Sequence, residues 1–216
     1  MKRTVFASFA AMLILSTAVT AQAAHTHEYT KQNSKVYVCE CGKEKPLYSL
    51  KGERVITLNC NGGSLSAERK KVIKAACSLV GKVNYFWGGK SSAIGWDSEW
   101  GKLKTVSAEG SKTTGTKRPF GLDCSGFVTW SFINSGFNAS QIGHGTQGQI
   151  AKCSRISWSN AQAGDLAFYG DLSHVGIIAG KDANGNILVI HCSSSNNNVV
   201  ITTNSGFGFA ARPSAY

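Results

Sequence analysis

The sequence predicts an α+β domain, because two helical patterns come first in its main part and four strand-like runs follow them. The first helix is capped by Ser66 and ended by Gly81. Its apolar side chains recur at the spacing of one helix face and are Val72, Ile73, Ala76, Leu79 and Val80. The second helix is capped by Asp123 and ended by Gly136, and it is apolar on more than one face, which predicts a central position.

Four runs rich in β-branched and aromatic residues predict strands in the last part of the chain. They are residues 164–169, 173–179, 187–192 and 199–203. The segment Lys-Asp-Ala-Asn-Gly at 181–185 is a turn signal between the second and third runs. We therefore expect an antiparallel meander with the central helix packed on it.

The first 23 residues have the pattern of a removable signal peptide. Lys2 and Arg3 precede an apolar run, and Ala21-Gln22-Ala23 fits a signal peptidase site. The run is shorter than the roughly 20 apolar residues that a membrane span needs. We therefore expect a secreted protein, extracellular or associated with the cell wall, with no stable membrane insertion.

The chain is strongly basic. Its formal charge is +11, which becomes +9 once Lys2 and Arg3 are removed (11 − 2 = 9). For an exported bacterial protein the available polyanions are anionic cell-wall polymers and lipid head groups, which such a charge attracts at long range. Nucleic acid is not an expected partner, because Lys and Arg are scattered rather than grouped on a helix or an aromatic strand.

Residues 24–63 are polar and rich in Lys, and we interpret them as a small Cys- and His-containing appendage with a linker before the main domain at 64–216. Four potential zinc ligands occur there: His25, His27, Cys39 and Cys41. The Cys-x-Cys spacing is not the usual one for zinc, and disulfides are the alternative, so no metal is expected.

Seven cysteines are many for 216 residues. They are Cys39, Cys41, Cys60, Cys77, Cys124, Cys153 and Cys192. In an oxidising compartment an odd number leaves at least one free, and pairing of the other six has fifteen possible connectivities. The free cysteine is then the candidate reactive thiol.

Residues 88–121 lack a clear periodicity and contain Trp96 and Trp100. A loop of this length inside a compact domain is usually functional or disordered. The two tryptophans indicate partial order, either by packing on the domain or as a stacking surface for a sugar or peptide, and we favour packing.

Cys124 stands directly after the capping residue Asp123, at the predicted start of the second helix. Free backbone N–H groups and the positive end of the helix dipole stabilise a thiolate there. A thiolate is the nucleophilic form of cysteine, so Cys124 is the candidate nucleophile.

Two histidines, His174 and His191, lie on the predicted strands and can supply the general base that a thiol nucleophile needs. A hairpin that closes symmetrically about residues 182 and 183 places them directly opposite each other, close enough to share a hydrogen bond. We therefore expect His174 to be the base and His191 to orient it. Strand alternation points Cys192 to the other face, so its role should be structural.

Five ordered blocks of the sequence, spread over about two-thirds of the chain from Ser66 to Arg212, resemble the NlpC family of papain-like cell-wall peptidases. The blocks are Tyr85-Phe-Trp-Gly-Gly89, Leu122-Asp-Cys-Ser-Gly-Phe-Val128, Gly164-Asp-Leu-Ala-Phe168, Ser173-His-Val-Gly-Ile177 and Val189-Ile-His191.

The resemblance implies a papain-like half-barrel in which the nucleophile helix packs on an antiparallel sheet. It implies a cysteine endopeptidase that cleaves the γ-D-glutamyl-diamino acid bond of peptidoglycan stem peptides without a cofactor. Cys124, His174 and His191 match the catalytic triad of the family. Tyr85, Asp123 and Ser125 match its substrate-binding and oxyanion positions beside the nucleophile.

Two segments depart from the family pattern: the 88–121 insertion is longer than in compact members, and Gly143–Gln149 matches only loosely. Three alternatives remain open. The first is a CHAP-type amidase, which cuts between muramic acid and L-alanine. The second is a non-catalytic wall-binding protein on the same scaffold. The third is an acyltransferase that uses the same thiol chemistry.

Overall fold

The computed structural model describes residues 65–182 and 185–216, together with the backbone of four short strands nearer the N-terminus. The predicted signal peptide and most of the predicted appendage, with its four potential zinc ligands, lie outside the described side chains. No helix in the described part of the chain is long and apolar enough to span a membrane.

The four N-terminal strands are β1 (Glu28–Lys31), β2 (Val36–Cys39), β3 (Glu44–Pro46) and β4 (Arg54–Ile56). They form a sheet of order β3-β2-β1-β4, in which the β1–β4 pair is parallel and the other two pairs are antiparallel.

The main domain begins with helix α1 (Ala67–Ser78). Its side-chain cap is Ser66, whose hydroxyl accepts a hydrogen bond from the Arg69 N–H at 3.3 Å. Helix α2 (Cys124–Ile133) starts at Asp123 as predicted, and residues 124–132 are all buried. A helix that is apolar all round belongs in a core, so the central position predicted for α2 is confirmed. Buried hydroxyl groups in the middle of α2 donate hydrogen bonds to backbone carbonyls of the same helix. Ser131, for example, donates to the Phe127 carbonyl at 2.8 Å.

Shorter helical segments follow α2: α3 (Ala139–Ile142), α4 (Gly145–Ile150) and a 3₁₀ turn (Trp158–Asn160). The later strands are β7 (Cys153–Ile156), β8 (Leu166–Phe168), β9 (Val175–Lys181), β10 (Ile187–Ser193), β11 (Asn198–Thr203) and β12 (Phe209–Pro213).

These later strands form one open antiparallel sheet of order β11-β10-β9-β8-β12-β7. The predicted meander is the first four strands of this order, and β12 and β7 extend it at one edge. Both α1 and α2 pack toward β9, so the helices cover one face of the sheet and the α+β prediction is confirmed.

The 88–121 insertion is ordered and contains a small hairpin of strands β5 (Leu103–Thr105) and β6 (Lys117–Pro119). Trp100 is 7% exposed, and its ring lies 5.6 Å from that of Trp130 on α2. Trp96 is 56% exposed and meets Trp100 edge to face at 4.9 Å. Packing therefore accounts for Trp100, whereas Trp96 remains largely open to solvent.

A fully buried carboxylate, Asp165, ties α1 to the sheet. It forms ion pairs with Arg69 of α1 at 2.8 Å and with Arg212 of β12 at 2.9 Å. The Arg69 guanidinium also lies 4.1 Å from the ring centroid of Tyr216. A carboxylate can be buried at this depth because two guanidinium groups compensate its charge.

Candidate functional site

The predicted nucleophile Cys124 is the first residue of α2, and Asp123 caps the helix by accepting from the Gly126 N–H at 2.7 Å. Cys124 itself is only 6% exposed. Helix α2 packs on β9 and β10. His174 directly precedes β9, and His191 lies within β10. The fold therefore brings the cysteine and the histidines to one end of the same helix–sheet contact.

The place of Cys124 at a helix start favours a thiolate, but its surroundings act in the opposite direction. Burial, and secondly the charge of Asp123, raise the pKa of the Cys124 thiol to about 11. The backbone N–H groups of Val175 and Ser125 and the charge of Lys90 act in the opposite direction but are outweighed. The resting state is therefore a neutral thiol, because desolvation disfavours the charged form more than the helix start favours it.

His174 and His191 do not face each other directly, so the predicted register was wrong. Strand β10 pairs with β9 through Ile190 and Ile177, and one further step along this register brings His191 opposite Gly176. The prediction assumed a turn centred on residues 182 and 183, but the loop closes further along the chain, between Asp182 and Asn186. An irregularity between Leu188 and Val189 then shifts the pairing of β9 and β10 by one more residue.

The two rings nevertheless meet, because residues two apart lie on the same face and diagonal neighbours are within reach of long side chains. His174 Nε2 lies 2.8 Å from His191 Nδ1. Gly176 makes this possible: a Cβ atom there would lie 2.9 Å from the Cβ of His191 and 2.5 Å from Cγ1 of Val189.

The hydrogen-bond partners of the two rings favour one tautomer of each histidine. The hydroxyl of Thr202 donates to the Thr203 carbonyl at 2.9 Å, so it accepts from His191 Nε2 at 3.1 Å. His191 Nδ1 then accepts, which leaves His174 Nε2 as the donor between the rings. The remaining nitrogen of His174, Nδ1, is therefore unprotonated and available as a base.

Both imidazoles are neutral at ordinary pH. Burial lowers the pKa of His174 to about 4, and burial followed by the neighbouring His174 lowers that of His191 to about 4. Phe207 lies 5.8 Å from the ring of His174 and 5.5 Å from that of His191, and Tyr169 lies 4.9 Å from His174. These aromatic rings exclude water, which is the physical cause of the shift.

Tyr85 lies beside the nucleophile, where the resemblance predicts it. It forms an isolated parallel bridge with Leu122, two residues before Cys124. Burial, followed by the proximity of Cys124, raises the pKa of the Tyr85 hydroxyl, so this group keeps its proton and can donate a hydrogen bond.

A groove of about 440 Å³ runs along the histidines and Tyr85. Its other lining residues are uncharged hydroxyl, amide or aromatic side chains. They include Trp87, Ser173, Ser193, Ser195, Asn196 and Thr203. Such a groove can bind a peptide-like or sugar-like chain through neutral hydrogen bonds and ring contacts.

Asp123 and Ser125 flank the cysteine and are joined by a third residue that the sequence analysis did not identify. Ser125 Oγ donates to Asp123 Oδ1 at 2.9 Å. Lys90 Nζ donates to both oxygens of Asp123 at 2.5 Å and to Ser125 Oγ at 2.8 Å. The only sequence signal for Lys90 is its place directly after the Trp-Gly-Gly segment.

Thr202 and Gln149 were missed as well. Gln149 is completely buried and donates to the Ser125 carbonyl at 2.8 Å, which supports the first turn of α2. It belongs to the loosely matching segment 143–149, so that segment contacts the nucleophile helix. A single threonine in a strand or a single glutamine in a loop gives no signal of this kind in a sequence.

Among the described residues, two cysteines other than Cys124 carry free thiols, so the pairing of all six other cysteines considered above does not occur. Cys124, Cys153 and Cys192 are free thiols. Cys192 is fully buried and donates to the Leu122 carbonyl at 3.1 Å, so its predicted structural role agrees with its position. Within the described residues, no three His, Cys, Asp or Glu side chains are grouped in a way that could hold a metal ion.

A helix that begins at a cysteine and packs on an open antiparallel sheet carrying two hydrogen-bonded histidines defines the papain-like α+β class predicted from the sequence. The family model described as NlpC/P60 family matches residues 81–212. The chain belongs to this family.

Curated relatives carry endopeptidase names. A probable endopeptidase of Mycobacterium tuberculosis is 30% identical over 128 residues, which are 59% of this chain and 24% of that protein. The bifunctional muramidase/DL-endopeptidase CwlT of Bacillus subtilis is 38% identical over 73 residues, 31% of this chain and 21% of that protein. The chain therefore matches about a quarter or less of the length of these two relatives.

Two solved structures of Mycobacterium tuberculosis proteins are similar to this chain. The peptidoglycan hydrolase RipB of M. tuberculosis has 27% identity and a TM-score of 0.48, with 67% of this chain and 64% of that chain covered. RipD of the same organism, described as a non-catalytic NlpC/p60 domain protein adapted to peptidoglycan binding, has 18% identity and a TM-score of 0.50. That match covers 69% of this chain and 99% of RipD, and it establishes a shared fold.

Proposed function

We propose that this protein is a secreted peptidoglycan endopeptidase that hydrolyses the γ-D-glutamyl-diamino acid bond of stem peptides. Cys124 is the nucleophile, His174 the base and His191 the residue that orients it. The observation that carries the proposal is the hydrogen-bond chain from Thr202 through His191, which leaves Nδ1 of His174 unprotonated. The residue after His174 is Val175, whose backbone N–H donates to the sulfur of Cys124.

The reaction starts from a neutral thiol and a neutral imidazole. As the sulfur of Cys124 attacks the amide carbonyl, Nδ1 of His174 takes the thiol proton, so charge forms only when substrate is present. The C–N bond then breaks, and His174 returns the proton to the leaving amine. A water molecule, deprotonated by the same nitrogen, hydrolyses the thioester and restores the thiol.

The oxyanion of each tetrahedral intermediate needs donors that are already in place. The Tyr85 hydroxyl is one candidate, because it keeps its proton beside Cys124. The backbone N–H of Cys124, at the start of α2, is the second. Asp123 and Ser125 hold this first turn, and their proposed place beside the substrate rests on the family positions that they match.

The choice of substrate rests on the family and on the relatives. Endopeptidase names recur among them, and CwlT is named a DL-endopeptidase. The uncharged groove beside the histidines suits a stem peptide that is bound mainly through its amides. The excess of basic residues favours accumulation on anionic cell-wall polymers before the stem peptide is engaged.

Digestion of purified peptidoglycan of the diaminopimelate and lysine types, followed by mass spectrometry of the released fragments, tests the proposal. We expect fragments that end in L-alanyl-D-glutamate. Cys124→Ala and His174→Ala should abolish their release, and His191→Ala should reduce it less, because water can partly replace an orienting partner. Circular dichroism of each variant controls for folding.

Two outcomes contradict the proposal. Intact stems that begin at L-alanine identify an amidase. Binding of the wild-type protein to peptidoglycan without any fragment release identifies a non-catalytic wall-binding protein.

A further inference from the structure

Lys90 lies at the start of the nucleophile helix and contacts two of its flanking residues. Its ammonium group donates to both carboxylate oxygens of Asp123 and to Ser125 Oγ. The Lys90 side chain is 41% exposed and that of Asp123 is 11% exposed, so the ion pair lies between the buried start of the helix and the protein surface. Three donors meet three acceptors here, which uses the hydrogen-bonding capacity of the ammonium group completely.

Glycines set the position of Lys90. The Asp123 N–H donates to the Gly89 carbonyl at 3.0 Å, which joins the two segments backbone to backbone. A Cβ atom on Gly89 would lie 2.3 Å from the Gly121 carbonyl oxygen, and one on Gly126 would lie 2.2 Å from the Gly89 carbonyl oxygen. Such close approach is possible only without side chains, and it brings Lys90 across the first turn of α2.

Asp123 is needed as a helix cap but stands next to a sulfur that must become negative. Its charge raises the pKa of the Cys124 thiol, and that of Lys90 lowers it. Tyr85 and Cys192 also lie near this sulfur, and burial raises the pKa of both groups, so they stay neutral and add no charge beside it.

The same carboxylate acts on the base. Asp123 opposes the effect of burial on the pKa of His174, whose ring otherwise contacts the rings of His191 and Tyr169. Two charged side chains affect the reacting groups: Asp123 acts on both the thiol and the imidazole, and Lys90 acts on the thiol. A change at Lys90 therefore reaches the Cys124 thiol in two ways, by its own charge and through the charge of Asp123 that it compensates.

We propose that Lys90 is a positioning residue for hydrolysis: it compensates the charge of Asp123 and fixes Asp123 and Ser125, so that negative charge on Cys124 does not meet an uncompensated carboxylate. This role rests on the proposed function of Cys124 as nucleophile. Lys90 itself does not touch the reacting atoms.

The test is alkylation of Cys124 by iodoacetamide at pH 8, followed by peptide mapping, in the full-length protein. Loss of the charge in Lys90→Met should raise the thiol pKa by about one unit and slow alkylation about tenfold. Lys90→Arg should restore most of the rate. The matched control is Lys102→Met, which removes a lysine paired with Glu99 at 2.5 Å in the same insertion and should change nothing.

A double variant separates charge compensation from a merely structural role. In an Asp123→Asn background only the smaller direct effect of the Lys90 charge on the thiol remains, so adding Lys90→Met should slow alkylation much less than tenfold. In the wall assay, Lys90→Met should lower kcat about tenfold with little change in KM, because the charge develops only during reaction.

An unchanged alkylation rate in Lys90→Met, or an equal slowing in the Asp123→Asn background, overturns the role of Lys90. If Lys90→Met does not fold, Lys90→Gln gives the same measurement with a hydrogen-bonding but uncharged side chain. Alkylation needs no wall substrate, so failure of the proposed endopeptidase activity is recognised separately by the absence of peptidoglycan fragments.

Discussion

At Cys124 two opposing influences act on one sulfur atom. The start of a helix and two backbone N–H groups favour a thiolate, whereas near-complete burial and the neighbouring Asp123 favour the thiol. Burial dominates, because losing the hydration of a full charge costs more than partial charges at a helix terminus return. A neutral pair of thiol and imidazole has a chemical consequence, since a buried thiol resists oxidation better than a thiolate.

The pH dependence of alkylation checks this charge state. With a thiol pKa of about 11, the rate of Cys124 modification by iodoacetamide should rise about tenfold for each pH unit between pH 6 and 9. Cys124→Ala gives the background from the other cysteines. A rate that is already high and constant from pH 5 upward would mean a preformed thiolate and would contradict the structure.

Single residues differ in how far a sequence reveals them. Asp123 and Ser66 could be predicted as caps because capping is a local interaction within one turn. Lys90 and Thr202 could not, because their contacts depend on the approach of segments 33 and 11 residues away in the chain. A long-range contact of one side chain leaves no periodic pattern.

The β9–β10 hairpin shows that a sequence also reveals only part of how two strands pair. Alternation correctly predicted that His174 and His191 share a face, since faces depend only on the parity of the register. The exact partner depends on where the loop closes and on the irregularity beside Leu188, neither of which the turn signal at 181–185 specified. The result is a diagonal contact of the two rings made possible by Gly176.

Gly176→Ala tests the importance of this close approach. The new methyl group would meet Val189 and His191, so we expect a loss of about 1–3 kcal/mol in the free energy of unfolding. Displacement of the His191 ring should also lower wall hydrolysis at a temperature where the variant is still folded. Urea unfolding and the fragment-release assay measure the two effects.

Gly148→Ala is the matched control, because a Cβ atom there meets nothing within 4 Å. It should leave stability and hydrolysis nearly unchanged. Equal behaviour of the two variants would show that the space at Gly176 is not required.

For the whole molecule, the resemblance and the strand runs predicted the central four-stranded meander, the buried helix and the family. Strands β12 and β7, which extend the sheet beyond β8, were missed, because Phe209–Pro213 and Cys153–Ile156 are short and carry no continuous run of β-branched residues. They are strands because their backbones pair with the edge of an existing sheet, which is a property of the assembled fold.

The buried histidines also make the stability of the whole molecule depend on pH. Their pKa values are about 4 in the folded state, against 6.5 for an unperturbed histidine. Well above pH 6.5 these histidines are unprotonated in both the folded and the unfolded state. As the pH falls from 6.5 to 4, the unfolded chain is protonated first, so stability is lost across this window.

Urea unfolding of the wild type and of His191→Gln at pH 7 and pH 4.5 measures this contribution. The wild type should lose about 2 kcal/mol more than the variant between the two pH values, because the variant lacks one of the two groups. His144→Gln, which removes a histidine outside the site, controls for histidine loss in general. Parallel pH profiles of the wild type and His191→Gln would exclude the histidines as the cause.

Three indoles form a line from the solvent to helix α2: Trp96 is open, Trp100 is covered, and Trp130 belongs to the helix. Their ring centroids are 4.9 and 5.6 Å apart, so light absorbed by one reaches the others. The protein therefore carries its own optical reporter. Of these three indoles, Trp96 is the one that iodide in solution can reach, and a molecule that covers Trp96 should shift its emission to the blue.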